Sequence, residues 1–211
     1  MRIRRAEAGD RDAIYDVCLR TADAGGDASA LYVDHDLPGE VWAGAYLYLR
    51  PHLAFVAEYH TGVDGYIVGA EDTVTFGAEC EARWWPALRA RYVDPPDDRD
   101  LTPDRRLHRY IHHPPVPPPE VLAEFPAHLH VNLLPRAQGR GAGRRLLGTL
   151  FDALTGAPGI HLGVAPGNER AAAFYAHLGF VPIGPPQASG AGRLLGRRLT
   201  TFGGDRMEVS D

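Results

Sequence analysis

From Leu133 to Leu147 the sequence reads LLPRAQGRGAGRRLL: the end of an apolar strand, three glycines close together, then the start of an apolar-striped helix. Glycines let successive backbone N–H groups converge on an anion, and a helix start adds the positive end of its dipole. The chemistry this arrangement offers is the holding of a phosphate. Two familiar phosphate loops do not fit. A Walker A loop ends in GK[ST], and none of the 22 basic residues of this chain is a lysine. The same composition excludes Schiff-base chemistry. A dinucleotide fingerprint is spaced GxGxxG, whereas Gly139, Gly141 and Gly143 are spaced GxGxG, far from any opening βαβ unit.

Other reactive side chains form weaker patterns. His108, His112 and His113 could suggest a metal, but His112 and His113 are neighbours in a proline-rich stretch without a cysteine or carboxylate pattern, so no metal is expected. Cys18 and Cys80 each fall on an apolar helical face, where a thiol packs rather than reacts.

The elements that must position the loop follow from periodicity. A strand is expected at Arg2–Ala6, then a helix carrying Ala13, Ile14, Val17 and Cys18 on one face. A shaped loop follows over Thr21–Gly39, and a short aromatic helix over Glu40–Leu49 with Trp42, Tyr46 and Leu49 on one side. Strands Leu53–Glu58 and Tyr66–Ala70 flank a turn signal at Val63-Asp64-Gly65. Glu71–Tyr92 has helical spacing with a kink at Pro86, and Asp94–Pro119 is too proline-rich for a regular element. Beyond it, strands at His128–Leu134, Ile160–Ala165, Phe180–Ile183 and Arg193–Leu199 alternate with helices at Gly143–Leu154 and Asn168–Leu178. The order implies an α/β (α+β) fold around one sheet.

Length and composition agree with one soluble globular domain of 211 residues, with 45% hydrophobic and 23% charged residues. The formal net charge of −5 offers no basic field for nucleic acid and mildly favours cationic substrates. No apolar run approaches a membrane span, the charged start MRIRRAEAGDRD lacks a signal-peptide core, and two isolated cysteines suit a reducing compartment. A cytoplasmic protein without a membrane partner is expected.

A third phosphate pattern, Q/R-x-x-G-x-G/A, is the pyrophosphate loop of acyl-CoA enzymes. Gln138-Gly139-Arg140-Gly141-Ala142-Gly143 satisfies it throughout, with Pro135 three residues upstream. About 30 residues on, Asn168 to Phe180 reads NERAAAFYAHLGF, against the pattern N-x-x-A-x-x-F/L-Y-x-x-x-G-F. On these two motifs the chain resembles the GNAT (Gcn5-related) N-acetyltransferases. Its first half, in CLRTADAGGDASALY, LRPHLAFVAE, GYIVGA and WWPALRARY, resembles the acetyltransferase-like domain of O-GlcNAcase and its free-standing bacterial relatives.

The resemblance implies a mixed, twisted sheet flanked by helices, forming a single domain over 1–211. Residues 1–120 would be the acceptor-side half, with a Pro-rich arm at 94–119, and 121–200 the acetyl-CoA-binding half. The backbone of Val131 and Leu133 would bond the pantetheine arm. N–H groups from Gly139 through Arg140, Gly141, Ala142 and Gly143 to Arg144, next to Gln138, would hold the pyrophosphate, and Arg140 or Arg144 would add charge. Asn168 would touch the pantetheine, and Tyr175 would protonate the departing thiolate, against a bland alternative in which its hydroxyl serves a neighbour's hydrogen bond. An amine acceptor would attack directly in a ternary complex, without a metal or an acetylated cysteine. The glutamate of the family falls on Ala127 or Gly163 here, so His128, His130, Glu58, Asp34, His35 or a water chain remain as general bases. The missing carboxylates keep a second reading alive, that of a CoA-binding pseudo-acetyltransferase acting as an interaction or sensing module.

Overall fold

The computed structural model describes residues 1–97, 99, 101–184 and 192–199. Among these residues seven strands form one sheet in the order β1-β2-β3-β4-β5-β7-β6: Arg2–Arg5 (β1), Ala54–Tyr59 (β2), Gly62–Ala70 (β3), Ala127–Leu133 (β4), Gly159–Val164 (β5), Val181–Pro182 (β6) and Arg193–Arg198 (β7). Every neighbouring pair is antiparallel except β4 and β5. That pair registers only at Ala127↔Ile160 and His128↔His161, after which the strands part.

Two apolar cores cover the two faces. On one, α1 (Arg11–Leu19), α2 (Leu37–Gly39), a π-type turn at Glu40–Gly44 and α3 (Ala45–Leu49) bury Ile14, Val17, Leu37 and Tyr46 against Val56, Tyr66 and Val68. The same face takes α4 (Thr73–Arg83), α5 (Trp85–Arg91) and α6 (Pro103–His112). On the other, α8 (Ala142–Ala153) lays Leu146, Leu147 and Leu150 over Phe55, Ile67 and Leu129, with Tyr175 and Phe180 in the same core. Beyond the bulge in β3, Tyr66, Val68 and Ala70 face the first core and Ile67 the second, as the two-residue pleat requires. Among the described residues, the remaining α-helices are α7 (Pro119–Glu124) and α9 (Glu169–His177). α8 is the stripe expected from the sequence, and the helix break falls at Trp84, two residues before Pro86.

Two expectations are corrected. The β2–β3 hairpin turns at His60-Thr61 with Gly62 at φ +117, not at Val63-Asp64-Gly65. Asp64 is instead an extra residue between the pairs Glu58↔Val63 and Ala57↔Gly65, a bulge. Its carbonyl accepts from Leu134 N–H at 2.9 Å, and its buried carboxylate takes Arg136 at 2.6 Å, so it anchors the end of β4.

The arm at 94–119 is not irregular throughout, because α6 occupies Pro103–His112. Thr102 caps it, accepting from Arg105 N–H, Pro103 stands where no N–H is needed, and Leu107 and Ile111 bury one face. His112 therefore closes a helix rather than lying in a loop, and its Nε2 meets Tyr92 O at 2.7 Å. His113 meets Asp94, and His108 stacks on Tyr92. Of the acidic run Asp94–Asp100, Asp98 and Asp100 lie outside the described residues.

Candidate active site

Where β4 and β5 part, a cavity of about 830 Å³ opens between them. Leu134 N–H bonds to β3, so by alternation the N–H and C=O groups of Leu129, Val131 and Leu133 turn to the opposite edge, into this gap. Val131 and Leu133 both line it. The carbonyl of Leu133 already accepts from Gln138 Nε2 at 2.8 Å, which leaves it one lone pair. Gln138 thus ties the loop to the strand end.

At one end of the gap, the chain turns through Gly139 (φ +71) and Gly141 (φ +77) into α8. Left-handed backbone costs an L-residue about 1–2 kcal/mol, which is why glycines stand there. Arg145 N–H is the first to close a helical turn, on Gly141 O at 3.1 Å. Among the described residues, the six N–H groups from Gly139 to Arg144 meet no acceptor. Arg140 and Arg144 are exposed beside them. A diphosphate fits this chemistry: six donors, a helix start and two cations.

On the opposite wall Asn168 caps α9, its Oδ1 accepting from Ala171 N–H at 3.0 Å, so Nδ2 remains for a ligand. Tyr175 is 7% exposed, lines the cavity and lies edge-on to Phe180. Burial raises its pKa well above the ordinary phenol value, so it is protonated at neutral pH. Its hydroxyl has no hydrogen bond among the described residues.

The candidates for a general base separate clearly. Glu58 is held by Arg4 at 3.0 Å, Asp34 accepts from the Tyr92 hydroxyl at 2.6 Å, and His35 is exposed; none lines the cavity. Ala127 is wholly buried and Gly163 has open space at its Cβ position. His128 is used on both sides. Thr73 donates its only hydroxyl hydrogen to Pro126 O (2.7 Å), so His128 Nδ1–H must donate to Thr73 Oγ1 (2.7 Å). Nε2 is then the acceptor for Tyr46 O–H at 2.7 Å. Burial, then His130, His161 and Arg50, hold its pKa well below the ordinary value. His128 is a neutral structural histidine.

His130 differs. It lines the cavity, and neither ring nitrogen is bonded among the described residues. Trp42 and Tyr46 lie 5.6 and 5.5 Å from its ring. Burial, with a contribution from His161, lowers its pKa to about 4. Asn132, which the sequence reading did not single out, lines the cavity two residues further along β4, beside Thr21. The available signal was the polar stripe His128, His130, Asn132 at a period of two on a central strand.

Among the described residues, no cluster of three or more metal-ligating side chains is present, and no helix is long and apolar enough to cross a membrane. The model of the acetyltransferase (GNAT) family matches residues 104–180. The protein solved as SsHAT is 38% identical, with 94% of this chain and 98% of that one aligned at a TM-score of 0.85. This chain belongs to the GNAT family. The O-GlcNAcases of Rattus norvegicus and Mus musculus are each 26% identical over 177 residues. That is 82% of this chain and 19% of either relative, so the chain spans about a fifth of their length. The structure of yncA from Salmonella typhimurium, solved with its cofactor acetyl-CoA, shares the GNAT fold at 17% identity and a TM-score of 0.53, with 98% of each chain aligned. The loop at 138–144, on which the resemblance places the pyrophosphate, stands beside the parted strands β4 and β5.

Proposed function

We propose that this chain transfers an acetyl group from acetyl-CoA to an amine, with both substrates held at once in the cavity between β4 and β5. The observation that carries the reading is the continuity of that cavity. A single space runs from the unbonded N–H groups of Gly139, Gly141, Ala142, Gly143 and Arg144 to Tyr175 and His130.

Acetyl-CoA supplies a thioester, activated for attack at its carbonyl carbon. The loop binds the diphosphate through the backbone of Gly139, Arg140, Gly141, Ala142, Gly143 and Arg144, and the guanidinium groups of Arg140 and Arg144 add screened charge. Val131, Leu133 and Asn168 Nδ2 hold the pantetheine as a further strand would be held. An inward N–H of β4 stabilises the carbonyl oxygen as it gains charge. Tyr175 gives its proton to the sulfur, and His130 takes the proton that the amine nitrogen releases. Both are restored from solvent. Cys18 and Cys80 take no part: both are buried, and burial pushes each thiol up to about 12.

Calorimetry with acetyl-CoA, combined with thiol release over an amine panel, tests the reading. Ligand at 100 times its dissociation constant should add about 2.7 kcal/mol of stability. Thiol release matched by acetylated amine supports the transfer. Binding without release favours the pseudo-acetyltransferase, and failure to bind at millimolar ligand overturns both.

A further inference from the structure

Thr21, Ala22, Ala24 and Gly25, from the loop after α1, form the acceptor-side wall of the cavity with His130 and Asn132. The Asn132 amide has one orientation there. Thr21 spends its single hydroxyl hydrogen on Val17 O at 2.7 Å. Its oxygen can then only accept, so Asn132 turns Nδ2 to Thr21 and leaves Oδ1 as a fixed acceptor on the wall. His130 stands two residues away on the same strand face, about 7 Å along it.

The wall therefore offers one amide oxygen, one uncharged imidazole and small aliphatic groups. Among the described residues that line the cavity, Glu169 is the only acid, and it pairs with Arg193 at the start of α9. The groups facing His130 are Trp42 and Tyr46 from the helical segment 37–49, His128 on its own strand and His161 on β5; none is a carboxylate. An alkylammonium entering this space would give up its hydration without a counter-charge. A neutral amine gives up only weak hydrogen bonds, one of which Asn132 replaces. The net charge of −5 favours cations at long range, but the wall governs the last few ångströms.

Building on the acetyl transfer above, we propose that the acceptor is a nitrogen nucleophile already uncharged at neutral pH, of the arylamine class. One N–H is held by Asn132 Oδ1, and the nitrogen lone pair faces the thioester. The N–C bond forms as the C–S bond breaks. The second amine hydrogen leaves as a proton to His130, Tyr175 protonates the sulfur, and the first hydrogen stays on the amide product. A weakly basic imidazole suffices, because the nitrogen becomes acidic as it acylates. It could not strip an alkylammonium beforehand.

Aniline and benzylamine test this, since they share a ring and differ in charge near pH 7. With acetyl-CoA, kcat/KM for aniline should exceed that for benzylamine at least about tenfold near pH 7, and benzylamine should gain about tenfold per pH unit as its free base grows. In the CoA complex, aniline should shift the His130 imidazole resonances in NMR and benzylamine should not. Asn132→Asp, which adds the missing counter-charge, should move the preference towards benzylamine. Thr21→Val should raise KM for aniline and leave the acetyl-CoA dissociation constant alone. Equal or better use of benzylamine near pH 7 overturns the proposal. So does silence of His130 and transfer to neither amine while acetyl-CoA binds. Failure of acetyl-CoA to bind would instead bring down the acetyl-transfer reading on which the proposal rests.

Discussion

The Tyr46 hydroxyl donates to His128 Nε2 at 2.7 Å, joining α3 to the middle of the sheet through the chain Tyr46, His128, Thr73 and Pro126. Tyr46 is 5% exposed and stacked on Phe76, so it belongs to the core. Tyr46→Phe keeps the ring and leaves Nε2 unsatisfied, which should cost about 1–3 kcal/mol in denaturant unfolding. Tyr46→Ala adds a cavity and should cost about 3–5 kcal/mol. A Phe variant within about 0.5 kcal/mol of wild type would show that the hydroxyl does not hold His128.

Stability should also depend on pH through the histidines of β4 and β5. His130, His128 and His161 all have pKa values lowered in the fold, chiefly by burial. Below about pH 6.5 the unfolded chain binds protons that the folded chain refuses, so unfolding becomes easier as pH falls. Above that value the contribution is fully present. For His130, whose folded value is about 4, the loss between the two values is on the order of 3 kcal/mol. Unfolding free energies from about pH 7 down to pH 4 should fall, and His130→Gln should flatten part of that slope. Parallel curves for the variant and wild type would remove His130 from the account.

The cations beside the loop should matter for ligand and little for folding. Arg140 and Arg144 are exposed and make no ion pair among the described residues, so replacing both with Ala should leave the melting temperature nearly unchanged. Acetyl-CoA affinity should fall about tenfold at low salt, and less at high salt where exposed charge is screened. Equal affinity of wild type and the double variant at low salt would leave the backbone N–H groups as the whole of the anion site.

Much of the second half was legible because each residue there meets its requirement locally. The stripe of Leu146, Leu147 and Leu150 states a helix, Asn168 states a cap, and the glycines at 139 and 141 state left-handed backbone. The first half hid its structure in long-range partners. Asp64 looked like a turn residue, yet its carbonyl and carboxylate serve Leu134 and Arg136, about 70 positions away. Prolines around α6 masked the pair Leu107 and Ile111 that buries it. Asn132 read as one polar residue in a strand, because its orientation depends on Thr21, which lies far off in sequence.

Tyr175 gives the sharpest test of the chemistry. Its ring is buried in the second core, the residue lines the cavity, and its hydroxyl bonds to nothing among the described residues. Burial keeps its proton on at any working pH, as a general acid needs. A departing thiolate gains from that proton, and positioned proton transfer is typically worth about 10²–10⁴ in rate. Tyr175→Phe keeps the ring against Phe180 and removes only the hydroxyl. Acetyl-CoA affinity should stay within a few-fold of wild type. Turnover should fall by about two orders of magnitude, the low end of the range, because a thiolate leaves tolerably well unaided. If turnover holds in a variant whose chemical step is rate-limiting, Tyr175 only packs, and the sulfur takes its proton from water.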